Sequence, residues 1–108
     1  MGAKNHAIVM PDAHKDDAVN AMIGACFGSA GQRCMAISVA VMVGDSAEWI
    51  PEIVEKTKSL SVGPGAENPD ITPMNNKAAL DRAVKIISSS DTDGSKILLD
   101  GRNVKVDG

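Results

Sequence analysis

Two short apolar runs, Ala7-Ile-Val-Met10 and Ile37-Ser-Val-Ala-Val-Met-Val43, flank a stretch with helical periodicity, and this alternation constrains the fold more than any other feature. The first run is continuous and closed by Pro11, as expected of a strand buried on both faces of a parallel sheet. Between the runs, Val19, Met22, Ile23, Cys26, Phe27 and Ala30 recur at helical spacing. Asp12 is the expected N-cap, and Asp16 and Asp17 place negative charge at the positive end of the helix dipole. A helical crossover joining two strands is the pattern of a parallel α/β unit.

The later chain extends this order. Gly44, Asp45 and Ser46 turn into a second helix carrying Trp49, Ile50, Ile53, Val54 and Leu60, with Ser46 as expected N-cap and Pro51 in the first turns. Ser61 to Asp70, holding Gly63-Pro64-Gly65 and Pro69, reads as a loop; its glycines lack the Lys-Ser/Thr ending of a phosphate cradle. Thr72-Pro73 predicts the start of a third helix with Leu80, Ala83, Val84 and Ile87 as its apolar stripe. Lys96 to Asp100 predicts a third strand, and Asp100-Gly101 a turn into a short strand over Asn103 to Val106. The class is α/β, a mostly parallel sheet with about three helices.

A length of 108 residues allows one domain and is too short for separate cofactor and substrate domains. Only 2% of residues are aromatic, so the core must be built from aliphatic side chains. A net charge of -3 gives no basic footprint, which argues against nucleic acid as a partner. No apolar run has the length of a membrane span and the N-terminus lacks a signal-peptide layout, so no membrane partner is expected. The two cysteines fit no zinc spacing, no metal is expected, and a reducing compartment suits them better than a disulfide framework.

The cysteines differ in setting. Cys26 falls on the apolar stripe of the first helix, where a thiol is desolvated and inert. Cys34 follows the helix end within Phe27-Gly-Ser-Ala-Gly-Gln-Arg-Cys-Met-Ala36, on a glycine-rich approach with little side-chain bulk. From spacing alone a nucleophile and an ordinary thiol remain equal readings of Cys34, because a cysteine without its base is weak evidence. His6 and His14 read as solvated or capping imidazoles.

Three stretches together resemble the NAD-dependent aldehyde dehydrogenase superfamily, and within it the CoA-acylating branch acting on methylmalonate- and malonate-type semialdehydes. They are Met1-Gly-Ala-Lys-Asn-His6 opening into a strand, Phe27 to Ala36, and Leu98-Leu-Asp-Gly-Arg102. The resemblance implies that residues 1–108 are the nucleophile-bearing part of the catalytic domain, with the cofactor domain absent. It makes Cys34 the nucleophile that forms a thioester, its backbone N–H one oxyanion donor, NAD the cofactor, coenzyme A the co-substrate and Met1 a neighbour of the nicotinamide. Arg33 is expected to hold the carboxylate of the semialdehyde, since such a substrate needs a cation near the nucleophile. The resemblance further implies a homo-oligomeric parent, mitochondrial in eukaryotes and otherwise cytoplasmic, and an isolated chain without turnover. A hydrolytic aldehyde dehydrogenase and a non-catalytic α/β interaction module are the alternatives.

Overall fold

The computed structural model describes residues 2–106. Strand β1, Asn5–Val9, pairs in parallel with β2, Ile37–Met42, and helix α1, Lys15–Phe27, makes the crossover between them. A 3-10 turn, Gly28–Gly31, leads out of α1 towards β2. A second 3-10 turn, Gly44–Trp49, leads into helix α2, Ile50–Lys58, and helix α3, Lys77–Ser89, follows a loop. The α/β class, the parallel pairing and the three helices are those expected from the sequence.

The core lies between α1 and the sheet. Val9, Val19, Met22 and Ala36 are buried, and Ser46 is fully buried with them. The Ser46 hydroxyl is directed at two carbonyl oxygens, Val9 at 3.0 Å and Val43 at 2.8 Å, which fixes the second 3-10 turn across the end of the sheet. Charged contacts then set α2 beside α1: Lys15 pairs with Glu52 at 2.5 Å, and Lys56 reaches both Glu52 at 3.4 Å and Asn20 Oδ1 at 3.1 Å. These surface pairs fix orientation more than they stabilise. The other sheet face is bare, with the register neighbours Ile8 and Val41 respectively 70% and 43% exposed.

Four expectations need correction. Asp12 does not cap α1; Pro11 and Asp12 are the central residues of a turn closed by Ala13 N–H to the Met10 carbonyl at 3.2 Å, and the helix starts after His14. Ser46 does not cap α2 either, because its hydroxyl is engaged with the strand carbonyls and α2 begins four residues later. The third helix starts at Lys77 instead of Thr72-Pro73: Asn76 Oδ1 accepts the Ala79 N–H at 2.9 Å and supplies the cap. Finally, Lys96 to Asp100 and Asn103 to Val106 are not strands.

The last difference has a clear cause. The Arg102 guanidinium donates to Asp100, to Asp91 and to the Ser88 hydroxyl, which folds residues 96–106 back onto the end of α3. A turn closed by Val104 N–H to the Gly101 carbonyl follows. Arg102 beside Asp100 holds that carboxyl below the usual carboxylate range, chiefly through their hydrogen bond.

A carboxyl depressed by its native partner favours the folded state above its ordinary pKa near 4, and this contribution disappears as pH falls through the lowered value. Arg102→Gln is therefore expected to raise the Asp100 titration, read by side-chain carboxyl NMR, and to flatten the acid limb of the stability curve; an unmoved titration would contradict this ion pair. Ser46→Ala is expected to cost about 1–3 kcal/mol in urea unfolding, since it removes a hydroxyl from a buried polar setting.

Candidate active site

The approach to Cys34 is built from unusual backbone. Ser29, Ala30 and Gly31 all lie in the left-handed region, with φ of 55°, 53° and 70°. For Ser29 and Ala30 this costs roughly 1–2 kcal/mol each. Gln32 holds the turn: its backbone N–H and its Nε2 both donate to the Ser29 carbonyl, at 3.0 and 3.1 Å. Gly31 is required for a second reason, because a Cβ there would lie 3.2 Å from the Cys26 carbonyl oxygen. The chain thus turns sharply off the end of α1, and Cys34 comes out exposed beyond it.

On the far side, Asn5 pins the loop to the sheet. Its Nδ2 donates to the carbonyls of Cys34 at 2.8 Å and Ala36 at 3.0 Å, fixing the backbone on either side of Met35. The strand register slips at this point, Asn5 facing Ile37 and His6 facing Val39, so Ser38 is the extra residue of a bulge. With its carbonyl engaged, the Cys34 N–H donates to no acceptor among the described residues.

Cys34 opens on a cleft of about 510 Å³ whose walls include Asn5, Gln32, Arg33, Ser38 and Arg82. Among the described residues, no carboxylate lines it. Arg33 does reach this cleft beside Cys34, and its guanidinium folds over Gly28, where a Cβ would lie 2.7 Å from Nη1. That puts the cation at the carboxyl end of α1, where the helix dipole is negative. Arg82 comes from α3, which Gln32 holds in place: its Oε1 accepts the Asn75 N–H at 2.8 Å, and Nε2 also reaches the Pro73 carbonyl at 3.4 Å. Met1, the expected neighbour of the nicotinamide, lies outside the described residues.

Cys26 is elsewhere. It is half-buried on α1, and burial pushes its thiol up from the ordinary value. The histidines contribute nothing to the cleft; His6 Nδ1 bonds the Lys4 carbonyl and His14 pairs with Asp17. Sequence reasoning placed Arg33 and Cys34 together but did not assign Asn5, Gln32 or Arg82 to the site. Asn5 and Gln32 lie within the stretches that carry the resemblance, yet their roles are contacts across 29 to 43 positions of sequence. Arg82 carries no local signal at all.

The aldehyde dehydrogenase family model matches residues 1–108. The chain belongs to the aldehyde dehydrogenase family. The methylmalonate-semialdehyde/malonate-semialdehyde dehydrogenase [acylating], mitochondrial, of Rattus norvegicus is 50% identical over the whole of this chain, which covers 20% of that protein. The crystal structure of methylmalonate-semialdehyde dehydrogenase from Oceanimonas doudoroffii superposes with a TM-score of 0.92 at 44% identity, covering 99% of this chain and 22% of that one. The 1-pyrroline-5-carboxylate dehydrogenase of Thermus with bound NAD gives 0.90 at 27% identity, over 99% and 21% of the two chains. The chain spans about a fifth of the length of the relatives it matches.

Gln32 is the link between the Cys34 loop and the approach to α3. Gln32→Ala is expected to speed hydrogen exchange of the Asn75 amide roughly fivefold, the loss of a bond worth about 1 kcal/mol. Unchanged exchange would show that the two segments are held together by something else.

Proposed function

We propose that residues 1–108 are the nucleophile-bearing part of the catalytic domain of an NAD-dependent, CoA-acylating semialdehyde dehydrogenase, with Cys34 as its nucleophile. One observation carries this reading: an exposed thiol stands on a constrained turn at the mouth of a cleft lined, among the described residues, by guanidiniums and by no carboxylate. The relatives named for acylating methylmalonate- and malonate-semialdehyde dehydrogenases support the substrate class. The bare apolar side chains Ile8, Ile86 and Leu98, each at least half exposed, support a place within a larger fold.

The thiolate of Cys34 attacks the aldehyde carbon, forming the C–S bond as the carbonyl π electrons move to oxygen. The Cys34 N–H, which has no other acceptor among the described residues, donates to that oxyanion. Asn5 and Gln32 hold the loop in the geometry that keeps donor and sulfur on one residue facing the cleft. Oxidation of the adduct leaves a thioester on Sγ, and the acyl group then passes to the thiol of coenzyme A. Sulfur suits both stages, because a thiol is partly ionised at neutral pH and a thioester stays activated for transfer. Arg33 orients the carboxylate of the semialdehyde.

NAD is the hydride acceptor of the proposed whole enzyme, as the NAD-bound Thermus relative suggests. The described residues offer it no cradle: Gly63-Pro64 lies in a loop after α2 and Gly65 opens a 3-10 turn, without the strand-to-helix setting of a dinucleotide site. The chain by itself is therefore expected to produce no NADH from malonate semialdehyde, NAD and coenzyme A. A homo-oligomeric parent, in the mitochondrial matrix if eukaryotic and cytoplasmic otherwise, belongs to the same reading.

In a full-length enzyme carrying this segment, Cys34→Ser is expected to lower kcat by at least about a thousandfold, while Cys26→Ser keeps most of the turnover. Comparable losses from both would overturn the assignment of Cys34. Arg33→Ala should raise KM for malonate-type semialdehydes far more than for propanal; equal effects on the two substrates would remove Arg33 from carboxylate recognition.

A further inference from the structure

We propose that Gln32 is a positioning residue for the Cys34 nucleophile: its carboxamide holds the turn from Ser29 to Gln32 in a backbone conformation that Ser29 and Ala30 disfavour, and so fixes how the sulfur meets the cleft. This rests on the reading of Cys34 as nucleophile. The turn is closed by the Gln32 N–H to the Ser29 carbonyl at 3.0 Å, and its two central residues, Ala30 and Gly31, have φ of 53° and 70°. Positive φ at both central positions is the type I′ geometry, which suits glycine, asparagine and aspartate. Gly31 meets that requirement. Ala30 does not, and Ser29 before it is left-handed as well, at φ 55°.

Such a turn persists only where its surroundings over-determine it. The Gln32 side chain does this from two directions. Its Nε2 donates at 3.1 Å to the Ser29 carbonyl, the same oxygen that closes the turn. The carboxamide is in turn fixed by the segment leading into α3, through the Asn75 N–H at 2.8 Å and the Pro73 carbonyl at 3.4 Å.

Cys34 cannot escape a change in the turn. Only Gln32 and Arg33 separate it from Gly31, and its own carbonyl is held by Asn5 at 2.8 Å. Return of Ala30 to the right-handed conformation it prefers therefore either breaks the Asn5 bond or rotates the sulfur and N–H of Cys34 away from the cleft. If Gln32 acts by opposing this relaxation, removing the preference makes Gln32 dispensable, because glycine at position 30 adopts either sign of φ. A contact that merely stabilises the fold would not be replaced in this way.

The test is steady-state kinetics of a full-length enzyme carrying this segment, with malonate semialdehyde, NAD and coenzyme A, well below its unfolding temperature. Gln32→Ala is expected to lower kcat by about tenfold or more while KM changes less than about threefold. Adding Ala30→Gly should recover kcat by about fivefold or more, a gain several times larger than Ala30→Gly gives in the unaltered enzyme. Ala21→Gly, in the interior of α1, should recover nothing. Gln32→Glu keeps the acceptor for Asn75 and loses both donations, so it leaves the approach to α3 anchored and should show the same loss and the same rescue. A kcat within about twofold of the unaltered enzyme for both Gln32 variants, or a loss that Ala30→Gly does not reduce or that Ala21→Gly reduces equally, would overturn the proposal. If Cys34→Ser keeps its turnover, the nucleophile reading fails instead.

Discussion

The carboxamide of Asn5 holds together the two parts of the molecule that matter most. It stands at the first position of β1 and donates to the carbonyls of Cys34 and Ala36, so the parallel strand pair and the cysteine loop share one anchor. Without that anchor the chain between Gly31 and Ile37 would cross from helix to strand with the Gln32 bonds at one end and the Ala36 to Arg33 turn to shape it. The bulge at Ser38 follows from the same constraint, because β2 must take up one extra residue where the loop enters the sheet.

From this anchor the geometry of the cleft follows in order. Three successive left-handed residues turn the backbone off α1, which is possible because Gly31 has no Cβ to meet the Cys26 carbonyl and because Gln32 closes the turn on Ser29. Gln32 then reaches across to the residues before α3, the helix whose Arg82 lines the same cleft as the loop's own Arg33. The unfavourable backbone and the hydrogen bonds that hold it are concentrated beside one exposed thiol, which is where strain in a fold most often serves a function.

The elements decided by local pattern were legible in the sequence, and those decided by distant contacts were not. The β1, α1 and β2 order follows from the two apolar runs and the helical spacing between them, although the expected burial of β1 on both faces fails, Ile8 being 70% exposed. The start of α3 shows the limit: Thr72-Pro73 is a good local start signal, but Gln32 holds the Pro73 carbonyl and the Asn75 amide outside the helix, and Asn76 becomes the cap. Likewise, the β-prone residues 96–106 have no ladder partner among the described residues, and the Arg102 fork ties them to Asp91 and Ser88 instead. Within the cleft, Arg33 and Cys34 were visible because they are adjacent in sequence and belong to a resembling motif. Asn5, Gln32 and Arg82 act through contacts that no local pattern records.

The central claim is that the acyl group of the substrate is carried on the sulfur of Cys34. The most direct measurement is peptide mass mapping of a full-length enzyme carrying this segment, quenched after reaction with malonate semialdehyde and NAD in the absence of coenzyme A. The account predicts an acyl adduct on the peptide containing Cys34, which disappears when coenzyme A is added before the quench. An adduct on Cys26 or on any other residue, or an adduct on Cys34 that coenzyme A leaves in place, would contradict it.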